Sequence, residues 1–218
     1  MIRRIARAAL LALVLSASAR AEDANDRMLI ALSQKDTDGV AAALAQGADP
    51  NHLDPEIKAT PLVIALTNKQ PASAMLLLEK GANPNAELAR DGLRVPALLI
   101  AIAYNDPALV GKLVDCGANM AATDNYGNTA LTQASFPPRK AIIRVLLEKG
   151  ADPNQLDGKK HSALLWAIQM ASPDTVDLLL AHGADPNLAG AEGLKPMKAA
   201  RKVGHKEIIA ALKKAGAK

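Results

Sequence analysis

A short phrase recurs down this chain at an almost fixed interval. Gly47-Ala48-Asp49-Pro50-Asn51 is followed by Gly81-Ala82-Asn83-Pro84-Asn85 and Gly117-Ala118-Asn119-Met120. Gly150-Ala151-Asp152-Pro153-Asn154, Gly183-Ala184-Asp185-Pro186-Asn187 and Gly216-Ala217 complete the series. Successive glycines lie 34, 36, 33, 33 and 33 residues apart. Self-similarity at a period of about 33 residues predicts a solenoid of helix–turn–helix units joined by hairpins. Such an array grows by adding units, each contacting only its neighbours. It therefore offers an extended surface in place of a catalytic pocket.

The composition fits short, closely stacked helices. Half of the residues are apolar, yet there are only one Phe, two Tyr and one Trp. A sandwich or barrel core would draw more on aromatic and β-branched side chains.

Residues 1–21 read as a secretory signal peptide, and residues 22–218 as one repeat domain. Arg3, Arg4 and Arg7 give a positive start, Ala8 to Leu15 an apolar stretch, and Ala19-Arg20-Ala21 a small-x-small cleavage site. The apolar stretch is too short to span a bilayer. No Cys lies near the cleavage site, and the Arg pair lacks the flanking residues of a twin-arginine signal. Without the four leader arginines, 22 basic residues face 22 acidic ones. That neutrality removes the main support for a nucleic-acid partner. The expected location is the bacterial periplasm. Cys116 is the only cysteine, so no internal disulfide can form; an unreactive thiol at a helix end is the simpler expectation.

The fourth unit shows the repeat anatomy. Thr129 is placed to cap a first helix opening Ala130-Leu131. Pro137-Pro138 breaks that helix, since proline supplies no helical N–H. Lys140 to Lys149 carries Ile142, Ile143, Val145, Leu146 and Leu147 as the apolar stripe of a second helix, and Gly150 ends it. Equivalent openings are Thr60-Pro61-Leu62, Pro96-Ala97-Leu98, Ser162-Ala163-Leu164 and Lys195-Pro196-Met197. Each is followed, three positions after the Leu or Met, by a small residue: Ala65, Ala101, Ala134, Ala167 or Ala200. Asp49, Asp124, Asp152 and Asp185 recur as turn-formers that accept local backbone hydrogen bonds.

Thr-Pro-Leu-x-x-Ala followed by Leu-Leu-Glu-Lys-Gly-Ala-Asn-Pro-Asn resembles the ankyrin repeat over about residues 24–218. The resemblance implies an all-α ankyrin-repeat solenoid of about six helix pairs, the outer two acting as caps. It also implies a concave groove, formed by hairpin tips and first helices, where partners dock. The histidine of the family's Thr-Pro-Leu-His is replaced by Val63, Leu99, Thr132, Leu165 and Lys198, so the bonds it makes within the turn are expected to be lost. The step of 36 places an insertion in the hairpin from Ala86 to Arg94.

No metal, cofactor or nucleophile pattern is present. His52, His161, His182 and His205 share no i, i+4 spacing, and there is no phosphate-binding or nucleophile-elbow motif. Catalytic, metal and cofactor residues are therefore expected to be none, and the chain is not expected to be an enzyme. Candidate partner-binding residues are those that depart from the repeat at groove and tip positions. Tyr104, Tyr126, Phe136 and Met170 form the apolar centre, with Lys159, Lys160 and His161 as a basic rim. Arg90 and Arg94 lie on the inserted hairpin. Aromatic and Arg side chains are the usual anchors of binding surfaces. Trp166 aligns with Ile64 and Ile100 and is assigned to buried packing.

These readings converge on a monomeric, non-catalytic binder of another exported protein. Resemblance to small exported ankyrin proteins implies two roles, neutralising a periplasmic toxin or assisting an oxidative-stress enzyme such as a catalase; the residues do not choose between them. An alternative is membrane-surface association through the basic last unit. Lys195 to Lys218 holds eight Lys/Arg and one acid, Glu207. The remainder of the mature chain holds 14 basic and 21 acidic residues.

Overall fold

The computed structural model describes residues 23–90 and 92–218. The expected signal peptide lies outside the described residues, as does Asp91 of the inserted hairpin.

Twelve α-helices among the described residues form six pairs, one for each expected unit. They are α1 (Ala24–Gln34) and α2 (Thr37–Ala45), α3 (Pro61–Thr67) and α4 (Pro71–Glu79), α5 (Ala97–Ala103) and α6 (Pro107–Asp115). The second half holds α7 (Ala130–Ala134) and α8 (Lys140–Glu148), α9 (Ala163–Gln169) and α10 (Pro173–Ala181), α11 (Pro196–Val203) and α12 (Lys206–Lys214). First helices stack on first helices and second on second, so the chain builds two parallel rows with one continuous core.

Local chemistry sets the boundaries. Proline opens α3, α4, α6, α10 and α11 at a position where its missing N–H costs nothing. Asp36 and Asp106 cap α2 and α6 by accepting the amides of Gly39 and Leu109 at 2.9 and 3.0 Å. Each second helix runs into a glycine with φ between 85° and 94°: Gly47, Gly81, Gly117, Gly150, Gly183 and Gly216. This left-handed conformation strains residues with a Cβ, which explains the fixed glycine of the repeat.

The core is aliphatic. Leu62, Leu66, Leu77, Leu99, Ile100, Ile102, Leu113, Ile142, Ile143 and Leu146 are almost wholly buried, each side chain contributing about 1.5–3 kcal/mol by leaving water. Ala65, Ala101, Ala134, Ala167 and Ala200 all have 0% exposure, so a larger group there would push the stacked helices apart.

The insertion is more ordered than a loop. Glu87–Arg90 (β1) and Leu93–Pro96 (β2) pair antiparallel, Leu88 opposite Val95 and Ala89 opposite Arg94. Leu88 and Val95 point into the core, while Arg94 stays in solvent.

Thr132 corrects one expectation. Standing where the family's histidine would be, it receives the amide of Thr129 on Oγ1 at 2.8 Å, and Thr129 Oγ1 accepts the amide of Thr132 at 3.2 Å. A bond within the turn is thus retained in the fourth unit, through a reciprocal hydroxyl cap.

Candidate functional site

The hairpins that would carry the site are internally braced. Asp and Asn side chains fold each turn on itself, as the sequence predicts: Asp124 Oδ1 accepts the amides of Tyr126 and Asn128, both at 2.9 Å. Neighbouring tips are then joined in series. Asn125 Oδ1 accepts the amide of Arg94, and Asn125 Nδ2 donates to Gly92 O. Gly158 N donates to Gly127 O at 3.0 Å, and Ala191 N to Lys160 O at 3.0 Å. Gly158 allows the middle contact, because a Cβ there would lie 2.2 Å from the Tyr126 carbonyl oxygen.

Trp166 sits at the centre of what these braces hold. It is half-buried, so its assignment to buried packing is corrected. Ile64 and Ile100 are buried at the equivalent position, but an indole carries an N–H that needs a partner. Nε1 finds Asp157 Oδ2 at 2.7 Å. The Phe136 ring lies 4.7 Å from the Trp166 ring at 42°, and the His161 ring 4.9 Å away at 31°. Lys159 Nζ stands 5.8 Å from the indole centroid, within cation–π range.

Asp157 organises this cluster. It is 6% exposed, and its Oδ1 accepts the amides of Lys159 and His161 at 2.8 Å each. His161 Nδ1 pairs with the Lys159 carbonyl at 3.1 Å. On the far side, Arg139 NH1 donates to the Gln133 carbonyl at 3.0 Å, bracing the chain that carries Phe136. Partial burial lowers the Arg139 pKa from its ordinary value, which still leaves the guanidinium charged at neutral pH.

The expected site residues fall into three groups. Phe136, Lys159 and His161 gather around Trp166. Lys160 and Tyr126 lie on the same linked tips, with Tyr126 67% exposed, and Met170, 38% exposed, closes α9. Tyr104 is set apart. Its hydroxyl donates to Thr67 O at 3.2 Å, Lys69 Nζ lies 5.0 Å from its ring, and it is half-buried between the second and third units. Arg90 and Arg94 line a separate cleft of about 450 Å³ between the inserted hairpin and Glu56-Ile57-Lys58. There the Arg94 guanidinium binds Glu87 Oε2 through both Nε (2.9 Å) and NH2 (2.6 Å).

Trp166 is the residue that sequence reasoning placed wrongly. The available signal was its neighbours in register, Gln133 and Ala199, which are polar or small where Ile64 and Ile100 are large and aliphatic. Cys116 is a half-buried free thiol at the end of α6. Among the described residues no group of His, Cys, Asp and Glu side chains could hold a metal ion, and no helix is long and apolar enough to cross a membrane.

The family model described as ankyrin repeats (3 copies) matches residues 98–190 and 139–218, together more than half of the chain. Ankyrin repeat and SOCS box protein 6 is 35% identical over 118 residues in both Homo sapiens and Pongo abelii. That match covers 50% of this chain and 27% of each relative, so the chain spans about a quarter of those proteins. Among solved structures, an ankyrin repeat domain from Acinetobacter baumannii superposes with a TM-score of 0.79 at 30% identity, covering 87% of this chain and 97% of that one. The ankyrin repeat domain of Bcl-3, a member of the IkappaB family, gives 0.75 at 29% identity, covering 90% and 89%. Repeats of this kind generally mediate protein–protein interaction and are typically non-catalytic. With six glycine-ended helix pairs, a continuous aliphatic core and these matches, the chain belongs to the ankyrin repeat family.

Proposed function

We propose that this chain is a non-catalytic binding module of the bacterial periplasm that holds another exported protein on the groove and hairpin tips of its later repeats. One observation carries the reading: Phe136 is 50% exposed while stacked near a Trp166 whose orientation is fixed by a buried carboxylate. A large apolar ring left in water beside a braced aromatic is unlike an ordinary solvated repeat face and suits a partner anchor. A surface already ordered before contact loses little entropy on docking. The signal-peptide pattern of residues 1–21 supports export. Tyr104, Arg90 and Arg94 are assigned peripheral roles, since intramolecular partners hold Tyr104 and Arg94.

The test is cross-linking of the tagged protein in its own host, followed by identification of what is enriched. The variant F136A/Y126A/M170A should lose the enriched partner while keeping its helical circular dichroism. A toxin as partner would make the chain its inhibitor; an oxidative-stress enzyme would make it an assistant. Recovery of the bait in the membrane fraction with no enriched protein would favour lipid attachment through the basic last unit. Retention of the partner by the triple variant would remove this surface from consideration.

A further inference from the structure

Two features meet on the surface of the fourth to sixth repeats. The first is apolar. Phe136, Met170 and Val203 are 50%, 38% and 39% exposed and lie at the ends of the stacked first helices α7, α9 and α11. The second is cationic. Lys159 and Lys160 are exposed on the hairpin before α9, and Lys198, Arg201 and Lys202 are exposed on α11. Opposing charge is sparse at the tips of these hairpins, since the exposed Asp152 and Asp185 sit at their starts, beside the repeat glycines. At the tips, Asp157 is buried and spends its oxygens on three internal bonds, which leaves Glu192 as the exposed acid of the next tip.

Resting on the reading of this surface as a protein-binding one, we infer that its occupant is an acidic segment of another protein carrying a Phe, Leu or similar large apolar side chain. The apolar side chain covers Phe136 and Met170 beside Trp166, and flanking carboxylates meet Lys159 and Lys202. A purely apolar occupant would strip water from these cations and return no counter-charge. A basic one would meet like charge, which costs affinity and slows encounter. The fixed orientation of Trp166 also suits a specific side chain better than a fluid lipid surface, which needs no such bracing.

Trp166 is the only tryptophan of the chain, so its fluorescence reports on this site alone. The purified chain is titrated with three Trp-free synthetic peptide pools, each with a central Phe or Leu flanked by Asp/Glu, by Asn/Gln or by Lys/Arg. Anionic phosphatidylglycerol vesicles form a fourth arm. The acidic pool should shift Trp166 emission, with binding that weakens as salt is raised. The variant K159E/K202E, altered at exposed positions and checked for native circular dichroism, should weaken that binding about tenfold. A shift of equal affinity from the neutral or basic pool would overturn the acidic preference and leave the protein-binding reading standing. Indifference of the acidic pool to K159E/K202E would do the same. Silence from all pools would overturn recognition of a linear segment and assign the surface to a folded partner, as cross-linking would show. A shift from vesicles alone would overturn both readings.

Discussion

Trp166 Nε1 donates to Asp157 Oδ2 at 2.7 Å, while Asp157 Oδ1 holds the amides of Lys159 and His161. One carboxylate therefore fixes both an aromatic anchor and the hairpin that carries the basic rim. Asp157→Ala leaves three donors without their acceptor and should lower stability by about 1–3 kcal/mol. It should also free the indole, moving its emission to longer wavelength. Asp157→Asn keeps an acceptor and should cost less. Urea unfolding followed by circular dichroism and by Trp166 fluorescence checks both effects. An unchanged emission maximum in Asp157→Ala would show that the bond does not orient the ring.

Thr60 and Thr129 open equivalent helices, yet only Thr129 caps. Thr129 Oγ1 accepts the amide of Thr132, whereas Thr60 makes no side-chain cap bond and its buried hydroxyl has no partner. Removing a satisfied cap costs about 1 kcal/mol, while removing an unpartnered buried hydroxyl for a methyl of the same shape is neutral or stabilising. Thr129→Val should lower the unfolding midpoint, and Thr60→Val should leave it unchanged or raise it. Equal losses at the two sites would contradict the assignment.

Most of the fold was legible because the repeat fixes it through local chemistry. The left-handed glycines, the prolines at helix starts and the buried alanines each satisfy a backbone or packing need confined to one unit. The candidate site was legible only in part. Phe136, Tyr126 and Met170 stood out as departures from the repeat and are exposed. Trp166 did not, because alignment with Ile64 and Ile100 transferred their burial to a residue whose N–H required a partner nine positions earlier. Asp124 and Asp157 recur at the tips, but the bonds joining Gly127 to Gly158 and Lys160 to Ala191 run between backbone atoms of neighbouring units, so the side-chain pattern does not announce them.

Lys140 Nζ lies 2.7 Å from Asp174 Oδ2, joining α8 to the first turn of α10. The hydrogen bond and charge of Lys140 lower the Asp174 pKa from the ordinary 3.8. A carboxylate whose folded pKa is depressed contributes stability above its unfolded pKa and loses it as pH falls through the folded value. Since both side chains are exposed to solvent, the contribution to stability is small and screened by salt. In an NMR titration Asp174 should have its midpoint below 3.8 and move upward in Lys140→Met. An Asp174 midpoint unaffected by Lys140→Met would show that the pair does not persist in solution.

The phrase-ending asparagines tie each repeat to the next, and one is missing. Asn51, Asn85 and Asn154 accept the amides of Asn83, Asn119 and Asp185, each at 2.7 Å. Their Nδ2 groups donate to the carbonyls of Gly81, Gly117 and Gly183 at 3.0–3.1 Å. Asn187 repeats the pattern with Lys218 and Gly216. Ala121 occupies this place in the third unit, and no side chain there can reach Asp152 N or Gly150 O; Gln155 Nε2 donates to Ala121 O at 3.1 Å instead. Repeat arrays owe their stability to nearest-neighbour terms of this kind, so the third and fourth units meet at a weaker junction. Ala121→Asn supplies both bonds at an exposed position and should raise stability by about 0.5–1.5 kcal/mol, whereas Asn85→Ala should lower it by a similar amount. Urea unfolding of the two variants against the parent decides it. A stability loss in Ala121→Asn would mean that the turn at Met120 cannot present the asparagine in register.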